Sequence, residues 1–427
     1  MTAHTVAPLT PGFRAVVEVP GSKSLANRAL VCAALADGVS RLHNLPSGDD
    51  TSAMIAGLTE LGIAIEADAD RSVTVAGHDL RVGDHGDAIT VDCRLAGTTS
   101  RFLTALGALV PAPVTIDGDE PLQQRPFGPL HDALTQLGCA VSTERPGGLP
   151  ATVSGQLSGR HVSVAGDVSS QYLTAIMLIG PYLADGVTIT LTTELVSRPY
   201  VEMTAAVMAA FGVDGVEVED REITVPSGRY QPTDYTVEPD ASSASYPLAM
   251  AAVVPGTVTI GALGRHSLQG DSAFASILSQ MGATVTYDDD GVTLTGPDQL
   301  VGIDIDMADV SDLVPTLAAV ATCAVTPTTI RGVGFIRGKE SDRLGDLAAE
   351  LTTLGADVAE TEDGLVIQPS RDRLHGGRVA THHDHRLAMA FGVLSSVVEG
   401  TEVADPEVVS KSWPGFWEAY AQLSAAC

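Results

Sequence analysis

Apolar and polar residues follow two periodic patterns that recur along the whole chain. Five segments carry apolar residues at helical spacing, end in a glycine and continue as a strand-like alternating run. These glycines lie 70 to 76 residues apart, and they are Gly62, Gly138, Gly212, Gly282 and Gly355. A glycine directly after the last periodic residue is typical of the position that ends a helix with a positive φ. The pattern therefore predicts five amphipathic helices, each followed by a strand.

A second type of predicted helix is apolar on nearly every face. It occurs six times at the same period, for example in "RALVCAALADG", "SYPLAMAAVV" and "HRLAMAFGVLSSVVEG". Helices without a polar face lie inside a protein rather than at its surface. Together the two types predict a unit of buried helix, strand, amphipathic helix, strand and strand. Six such units of about 70 residues account for the chain, and the amphipathic helix is degenerate in the sixth.

A short polar strip precedes each predicted buried helix. In chain order the strips are "GSKSLANR", "AGTTSR", "DVSSQY", "DASSASY", "DVSDL" and "HHDHR". Ser, Thr and Asp cap helix N-termini, and the free N–H groups and dipole at such an end attract phosphate and carboxylate groups. Simple capping explains any one strip, but three strips also carry an arginine, namely Arg28, Arg101 and Arg386. Six strips in register favour a site for anionic ligands.

The chain is strongly acidic, with 24 Lys and Arg against 53 Asp and Glu and a formal net charge of −29. This charge repels nucleic acids and anionic membranes, so an anionic substrate must meet local positive charge. The N-terminus has the pattern of neither a signal nor a transit peptide, and no apolar stretch is long enough to span a bilayer. The cysteines lack metal-binding spacing and predict reduced thiols in the cytoplasm; they are Cys32, Cys93, Cys139, Cys323 and Cys427.

Lysine is rare in this chain. Three of the 24 cationic residues are lysines, and they are Lys23, Lys339 and Lys411. Most lysines in proteins are solvated surface residues. Lysine also carries a compact charge with a tunable proton, whereas arginine is permanently charged. Because arginine is used almost everywhere else, the three lysines become candidates for chemistry.

Several local motifs suggest catalytic or anion-binding roles. Each of them also has a simpler, structural interpretation. "GSKS" is not a phosphate-binding P-loop, because Val16 stands where that motif needs a glycine. "RGKESDR" is either a charged loop or a cationic clamp that keeps Glu340 ionised and fit to act as a base. Arg125 in "LQQRPFG" is either a surface arginine or part of an ordered extended loop before Pro126.

The histidine-rich strip "THHDHR" raises the question of a metal site. Metal-binding helices place histidines four residues apart, whereas His382, His383 and His385 are adjacent or two apart. A simpler interpretation makes Asp384 a helix cap and directs His385 and Arg386 to an anion. No metal ligand is therefore predicted.

Seven motifs in one order resemble those of the EPSP synthases (5-enolpyruvylshikimate-3-phosphate synthases). They are "GSKSLANRAL", "AGTTSRF", "DGDEPLQQRPFGPL", "GDVSSQYLTA", "DASSASY", "RGKESDRL" and "HDHRLAMAF". With Lys411 they extend over residues 21–411, so the resemblance covers nearly the whole chain.

The resemblance implies an α/β fold, a two-domain inside-out α/β barrel of six βαβαββ-type repeats with buried helices and outer sheets. It predicts an N-terminal domain of residues 21–239 with three repeats. Residues 1–20 and 240–427 then form the C-terminal domain with the other three, so the first strand belongs to the C-terminal half. The active site is expected in the interdomain cleft.

The resemblance also implies a reaction. Phosphoenolpyruvate donates its enolpyruvyl (carboxyvinyl) group to the 5-hydroxyl of shikimate 3-phosphate, and phosphate leaves through a tetrahedral intermediate. This step belongs to the shikimate pathway of aromatic amino acid biosynthesis. It is catalysed by the enzyme family that glyphosate targets. It implies a cytoplasmic, monomeric transferase with two small-molecule substrates, no cofactor, no metal, no nucleic acid and no membrane.

Site residues carry over by matching motif positions. The implied shikimate 3-phosphate contacts are Lys23, Ser24, Arg28, Ser169, Ser170, Gln171, Ser197, Tyr200, Asp312 and Lys339. The implied phosphoenolpyruvate contacts are Lys23, Gly97, Arg125, Gln171, Arg343, Arg386 and Lys411. The implied catalytic residues are Asp312, as the base on the shikimate hydroxyl, Glu340 and Lys23, as proton carriers, and the adjacent His385.

This chain departs from the family pattern at Leu95, Phe102 and Phe335, where Asn, Pro and Asn are common. Two alternative functions differ from this one in the residues they require. The UDP-N-acetylglucosamine enolpyruvyl transferases share the fold, but their catalytic cysteine is missing from "DGDEPLQQR". A non-catalytic binder of sugar phosphates would not need Asp312 and Glu340, which are both present.

Overall fold

The computed structural model describes residues 3–68, 70–83, 86–288 and 291–425. The chain divides into two compact units. The N-terminal unit is Gly21–Val237, and the C-terminal unit combines Met1–Pro20 with Glu238–Cys427. Each unit has its own hydrophobic core. The second boundary therefore falls two residues before the one expected from the sequence.

The described residues form thirteen helices and twenty-three strands. The helices are α1 (Lys23–Leu35), α2 (Asp49–Glu60), α3 (Gly97–Gly107), α4 (Glu120–Gln123), α5 (Gly128–Gln136), α6 (Ser170–Ile179), α7 (Arg198–Ala210), α8 (Ala241–Val253), α9 (Phe274–Gln280), α10 (Val314–Ala321), α11 (Gly345–Thr353), α12 (His385–Ser395) and α13 (Phe416–Ala425). The strands are β1 (Ala3–Thr5), β2 (Arg14–Val17), β3 (Gly38–His43), β4 (Ala64–Ala67), β5 (Val73–Gly77), β6 (Ile89–Asp92), β7 (Val114–Asp117), β8 (Ala140–Thr143), β9 (Ala151–Ser154), β10 (His161–Val164), β11 (Val187–Leu191), β12 (Glu217–Val218), β13 (Glu222–Val225), β14 (Asp234–Thr236), β15 (Thr257–Gly261), β16 (Thr284–Asp288), β17 (Gly291–Thr295), β18 (Asp304–Asp306), β19 (Thr328–Arg331), β20 (Asp357–Glu360), β21 (Leu365–Gln368), β22 (Arg378–Val379) and β23 (Glu402–Ala404).

The six helices without a polar face are buried, as the sequence predicted. In the N-terminal unit α1, α3 and α6 contact one another, and in the C-terminal unit α8, α10 and α12 do the same. All eight residues of α10 and all eleven of α12 are buried. Each unit therefore has a centre made of three helices.

The five amphipathic helices end at the predicted glycines. Helices α2, α5, α7, α9 and α11 are each followed by a cap residue and then by the glycine, which has a φ between +84° and +111°. A left-handed conformation of this kind strains any residue with a Cβ atom. In the sixth repeat a 3-10 turn, Pro406–Lys411, and α13 follow β23.

The strands form small sheets around each helical centre. Five sheets have four strands each, in the orders β14-β3-β5-β4, β6-β7-β9-β8, β10-β11-β13-β12, β16-β17-β15-β2 and β18-β19-β21-β20, and the sixth has the order β1-β23-β22. Side chains alternate between core and solvent, since Val16 is 77% exposed and Val17 is 7% exposed. The inside-out arrangement of buried helices and outer sheets is confirmed within each unit.

Two strands come from distant parts of the chain. Strand β2 pairs in parallel with β15, with Arg14 opposite Thr257, so the first residues complete a sheet of the C-terminal unit. Strand β14 pairs in parallel with β3 and completes the first sheet of the N-terminal unit. The first residues of the chain therefore share a sheet with strands of the C-terminal half.

No helix in the described ranges is long and apolar enough to cross a membrane. Cys32, Cys93, Cys139 and Cys323 are free thiols in buried positions. Cys427 lies outside the described residues.

Candidate active site

In the N-terminal unit, Lys23 is the first residue of α1, after the cap Ser22. Its Nζ atom donates a hydrogen bond to Asp50 Oδ2 at 2.9 Å. Asp50 lies in the first turn of α2 and its side chain is 4% exposed, while that of Lys23 is 14% exposed. A buried carboxylate therefore fixes the lysine at the start of its helix.

Arg28 lies deeper along α1 and is almost fully buried. Its Nε donates to Thr204 Oγ1, its Nη1 to the Ser24 carbonyl, and its Nη2 to Thr174 Oγ1 and to the Tyr200 carbonyl, at 2.7 to 3.3 Å. Burial lowers the pKa of Arg28 to about 10, so it stays charged at neutral pH. Four of its five N–H groups thus hold helices α1, α6 and α7 together.

The buried Arg101 guanidinium organises a second part of the N-terminal unit. Its Nη1 donates to the Gly97 carbonyl and to Gln171 Oε1, both at 2.9 Å, and its Nη2 donates to the Pro126 carbonyl at 3.0 Å. The guanidinium also lies 4.7 Å from the Phe127 ring centroid and 5.3 Å from that of Tyr172. Arg101 therefore links the starts of α3 and α6 to the loop that carries Arg125.

Three predicted phosphoenolpyruvate contacts meet around this arginine. A Cβ atom on Gly97 would lie 2.5 Å from Arg125 Nη1 and 2.9 Å from Arg101 Nη1, so only glycine lets both guanidinium groups approach the backbone. Gln171 Nε2 donates to Thr98 Oγ1 at 3.0 Å. Gly97, Arg125 and Gln171, with Lys23, are called the N-terminal set below.

The remaining predicted residues of this unit lie at helix starts. Ser169 caps α6 and accepts a hydrogen bond from the Gln171 amide at 3.3 Å, and Ser170 is buried beside it. Ser197 precedes α7 with a φ of +56°, a conformation that non-glycine residues adopt rarely. Tyr200, in the first turn of α7, gives its carbonyl to Arg28.

In the C-terminal unit, Arg343 is 1% exposed and is surrounded by carboxylates. Its Nε donates to Asp384 Oδ2 at 2.6 Å, its Nη1 to Asp312 Oδ1 at 2.9 Å and its Nη2 to Glu340 Oε2 at 2.7 Å. Burial alone would lower the pKa of Arg343, but the charges of these three carboxylates raise it well above its usual range. Arg343 is therefore a permanent cation that fixes three acidic side chains.

Asp312 is shared by two arginines. Besides Arg343, it accepts a hydrogen bond from Arg386 Nη2 at 2.6 Å. Burial would raise the pKa of Asp312, but the charges of Arg386, Lys339 and Arg343 hold it well below its usual range. Asp312 is thus ionised, and it accepts a proton readily only after at least one of these cations turns to another anion.

Glu340 lies between two cations, because Arg343 holds one oxygen and Lys411 Nζ is 3.4 Å from the other. Arg337 points elsewhere and pairs with Asp342 and Glu360 at 3.0 and 2.8 Å. The motif "RGKESDR" therefore combines both interpretations. Glu340 and Arg343 form the part in which a carboxylate lies between cations. Arg337 and Asp342 form an ordinary charged loop. Asp312, Glu340, Arg343, Arg386 and Lys411 are called the C-terminal set below.

The side chains of the histidine-rich strip turn to different partners. Asp384 caps α12 by accepting a hydrogen bond from the Arg386 amide at 2.9 Å, as predicted. His382 turns to Glu350 at 2.9 Å, whereas the buried His385 has Nδ1 3.6 Å from Asp384 Oδ1. Within the described ranges no group of His, Cys, Asp and Glu side chains is placed to hold a metal ion.

Four side chains that hold the predicted ones in position were not predicted to do so, namely Asp50, Thr98, Arg101 and Asp384. Arg101 and Asp384 lie in the polar strips. The sequence indicated an anion-binding helix start for Arg101 and a helix cap for Asp384, but not their contacts with other site residues. Asp50 stands in "SGDD" at the start of a predicted amphipathic helix, where an acidic residue also serves the helix dipole. No local pattern reveals that its partner is Lys23, 27 residues earlier.

Comparison with known proteins identifies the family. The model of EPSP synthase (3-phosphoshikimate 1-carboxyvinyltransferase) matches residues 11–420. The 3-phosphoshikimate 1-carboxyvinyltransferase of Methanoculleus marisnigri is 42% identical over 95% of this chain and 96% of its own length. That of Trichormus variabilis is 40% identical over 96% of both chains.

Solved structures give the same result. An EPSP synthase from Acinetobacter baumannii superposes with a TM-score of 0.83 at 26% sequence identity, and the match covers 99% of this chain and 98% of that one. The fold, the ordered motifs and the sequence identity agree along nearly the whole length. The chain therefore belongs to the EPSP synthase family.

Proposed function

We propose that this protein transfers the carboxyvinyl group of phosphoenolpyruvate to the 5-hydroxyl of shikimate 3-phosphate and releases phosphate. The observation that carries the proposal is the family match over residues 11–420, which includes both the N-terminal and the C-terminal set. Both substrates carry a phosphate and a carboxylate. On a chain with a net charge of −29, clustered arginine and lysine side chains are what such ligands require.

Phosphoenolpyruvate is proposed to bind to cations of both sets. Arg125, Gln171 and Lys23 of the N-terminal set would donate to its phosphate and carboxylate oxygens, with the Gly97 backbone close by. Arg343, Arg386 and Lys411 of the C-terminal set would do the same. Arginine suits this role because its planar N–H groups match carboxylate and phosphate oxygens in pairs.

Shikimate 3-phosphate is proposed to contact the starts of α1, α6 and α7 through Lys23, Ser24, Arg28, Ser169, Ser170, Gln171, Ser197 and Tyr200, and the C-terminal unit through Asp312 and Lys339. Helix starts supply N–H groups and a positive dipole end to a phosphate. Because four N–H groups of Arg28 already bind protein oxygens, its contribution to substrate is one N–H group and its charge.

Asp312 is proposed to be the base in the addition step. Substrate carboxylate and phosphate oxygens compete for Arg343 and Arg386, and each cation that Asp312 loses strengthens it as a base. Asp312 then takes the proton of the 5-hydroxyl while that oxygen attacks C2 of phosphoenolpyruvate. An acid protonates the methylene carbon at the same stage, which completes the tetrahedral intermediate.

Glu340 and Lys23 are proposed to carry the other protons. In the elimination step one proton leaves the new methyl group, the C–O bond to phosphate breaks and the vinyl group reforms. Glu340, with Arg343 and Lys411 on its two oxygens, is suited to hold and return the proton at carbon. Lys23 is suited to assist the departing phosphate, and His385 is proposed to act beside this site.

We further propose that the enzyme works in the cytoplasm as a monomer and needs no cofactor. Free buried thiols are typical of proteins in a reducing compartment.

The test is phosphate release by the full chain with phosphoenolpyruvate and shikimate 3-phosphate, with UDP-N-acetylglucosamine as the control acceptor. We expect phosphate release to require shikimate 3-phosphate. Release with UDP-N-acetylglucosamine instead, or no release from protein whose circular dichroism shows it to be folded, would contradict the proposal.

A further inference from the structure

The ammonium group of Lys339 lies over an aromatic ring. Its Nζ atom is 5.8 Å from the ring centroid of Phe335, within the range in which a cation is attracted to the face of a ring. Phe335 lies in the 3-10 turn Gly334–Gly338, and Lys339 follows that turn directly. The turn therefore sets the spacing of the ring and the cation.

The ring itself has a fixed position. Phe335 is half-buried and packs against the core of the C-terminal unit, and the next residue, Ile336, is fully buried. The Lys339 amide donates to the Ile336 carbonyl at 3.3 Å, which ties the lysine backbone to the same turn. The ring thus offers a stationary face to a long side chain that would otherwise sample many rotamers.

The turn also separates its two cations. Arg337 points to Asp342 and Glu360, with which it forms ion pairs. Lys339 instead lies on the side of Phe335, and its charge acts on the carboxylate of Asp312. The cation held by the ring is therefore the one near the C-terminal set.

The ring of Phe335 differs from a carboxylate as a neighbour of a lysine. Lys23 meets the carboxylate of Asp50, and Lys411 meets that of Glu340. A carboxylate competes with an incoming phosphate for the lysine, whereas a ring carries no net charge. The ring of Phe335 therefore attracts the Lys339 ammonium without competing as an anion.

We propose that Phe335 is a positioning residue whose ring face holds the Lys339 ammonium in place for the anionic groups of shikimate 3-phosphate. The inference rests on the proposed function, since it takes shikimate 3-phosphate as the ligand of Lys339. It assigns to Phe335 no contact with the reacting atoms.

The test replaces Phe335 with mono-, di- and trifluorophenylalanine in the full chain. Fluorine withdraws charge from the ring face while leaving its shape nearly constant, so it weakens the attraction stepwise. We expect the Kd of shikimate 3-phosphate, measured by calorimetry, to rise with each fluorine and to reach about two- to fivefold that of the unmodified protein. The KM of phosphoenolpyruvate should change less.

Two controls separate this role from a packing role. In the Lys339→Gln background the fluorine series should have no effect on the Kd, because the cation is gone. A second series at Tyr287, a half-buried residue on β16 that also packs against the core of the C-terminal unit, should leave the Kd unchanged. Phe335→Trp should bind at least as tightly as the unmodified protein, and Phe335→Leu should bind more weakly.

A flat fluorine series at position 335, or the same slope with and without Lys339, would overturn the inference. Either result is compatible with full enzymatic activity, so the proposed function would stand. Failure of the unmodified protein to bind shikimate 3-phosphate and release phosphate would instead overturn both.

Discussion

The Arg343 guanidinium stays charged inside the protein because three carboxylates surround it. Its three nitrogens each donate to a different acidic residue, and one of them, Asp384, is completely buried. Removing one member of such a buried group is costly, since the remaining charges have neither water nor a partner. At the residue scale the predicted site therefore depends on side chains that hold one another in place.

Arg343→Gln should lower the free energy of unfolding by about 3–5 kcal/mol, because Asp384 and Asp312 lose a buried cation. Urea unfolding of the purified variant measures this loss. Arg337→Gln is the matched control, since Arg337 forms part-exposed pairs and should cost less than about 1 kcal/mol. Equal losses in both variants would contradict the assignment of Arg343 as the centre of a buried cluster.

Asp312→Ala should bind shikimate 3-phosphate but turn over poorly. Loss of a general base lowers kcat by about a hundredfold to ten-thousandfold. Calorimetry measures the Kd, and phosphate release measures kcat. If the Kd rises by as large a factor as kcat falls, Asp312 serves binding rather than proton transfer.

Asp271 makes stability depend on pH. Burial and the charge of Asp312 raise the pKa of Asp271 to about 6, while Ser242 donates a hydrogen bond to its carboxylate. The folded state therefore binds the proton more tightly than the unfolded state, and it loses stability as the pH rises from about 4 through 6.

Asp271→Asn removes this dependence and keeps an oxygen for Ser242. Relative to the unmodified protein, the variant should gain about 1 kcal/mol more unfolding free energy at pH 8 than at pH 5. Urea unfolding of both proteins at the two pH values measures the difference. An identical stability difference at pH 5 and pH 8 would show that the carboxylic acid is not the titrating group.

The helices of this protein combine two kinds of end. The buried helices begin in polar strips that carry the predicted site residues, and the amphipathic helices end in left-handed glycines. The first kind concentrates N–H groups and cations at the starts of the buried helices, and the second turns the chain into the next strand. At the element scale the repeat thus joins helices with polar starts to helices whose C-terminal glycine turns the chain into the next strand.

Two glycines of the C-terminal unit differ in their surroundings. Both Gly282 and Gly355 have a positive φ, but a Cβ atom on Gly282 would have no atom nearer than 3.4 Å. A Cβ atom on Gly355 would lie much closer to the Arg373 carbonyl oxygen than van der Waals contact allows. Substitution at Gly355 therefore adds a steric clash to the strain of the backbone.

Gly282→Ala should lower the free energy of unfolding by about 1–2 kcal/mol through backbone strain alone. Gly355→Ala should cost about 1–3 kcal/mol more, because the carbonyl must also move. Urea unfolding of the two variants measures the comparison. A loss at Gly282 that equals or exceeds the loss at Gly355 would contradict this account.

The first residues of the chain stabilise a unit that is otherwise built from residues far away in sequence. Strand β2 completes a sheet with β15, and the ring of Phe13 fills the space beside Gly256 in the core of the C-terminal unit. At the scale of the whole molecule, the C-terminal unit therefore combines two separate parts of the chain, whereas the N-terminal unit is one continuous segment.

Phe13→Ala should destabilise the C-terminal unit by about 3–5 kcal/mol, as other buried phenylalanines do when truncated. Hydrogen exchange should show lost protection in β15 and not in β3. Phe211→Ala is the matched control, because Phe211 is buried in the N-terminal core and should have the reverse effect. Loss of protection in the N-terminal unit on truncating Phe13 would contradict this division.

Local sequence was sufficient to predict most of the elements. A helical period, a glycine that ends a helix and an all-apolar helix can each be recognised from neighbours within a few residues. Gly355 and α12 are examples. The same holds for the cap Asp384. Their conformations follow from short-range sterics and from the need to bury apolar faces, so the sequence by itself determined the six-fold repeat and its polar helix starts.

Tertiary structure alone decided which side chains meet. Lys23 pairs with Asp50, and Arg28 joins three helices. Arg337 pairs with Glu360 rather than with Glu340. All of these contacts join residues that are distant in sequence. Long polar side chains have several possible partners of similar energy, and packing of the buried helices selects one. The sequence therefore determined where cations and anions stand along the chain, and the fold decided their partners because only packing fixes distances between remote residues.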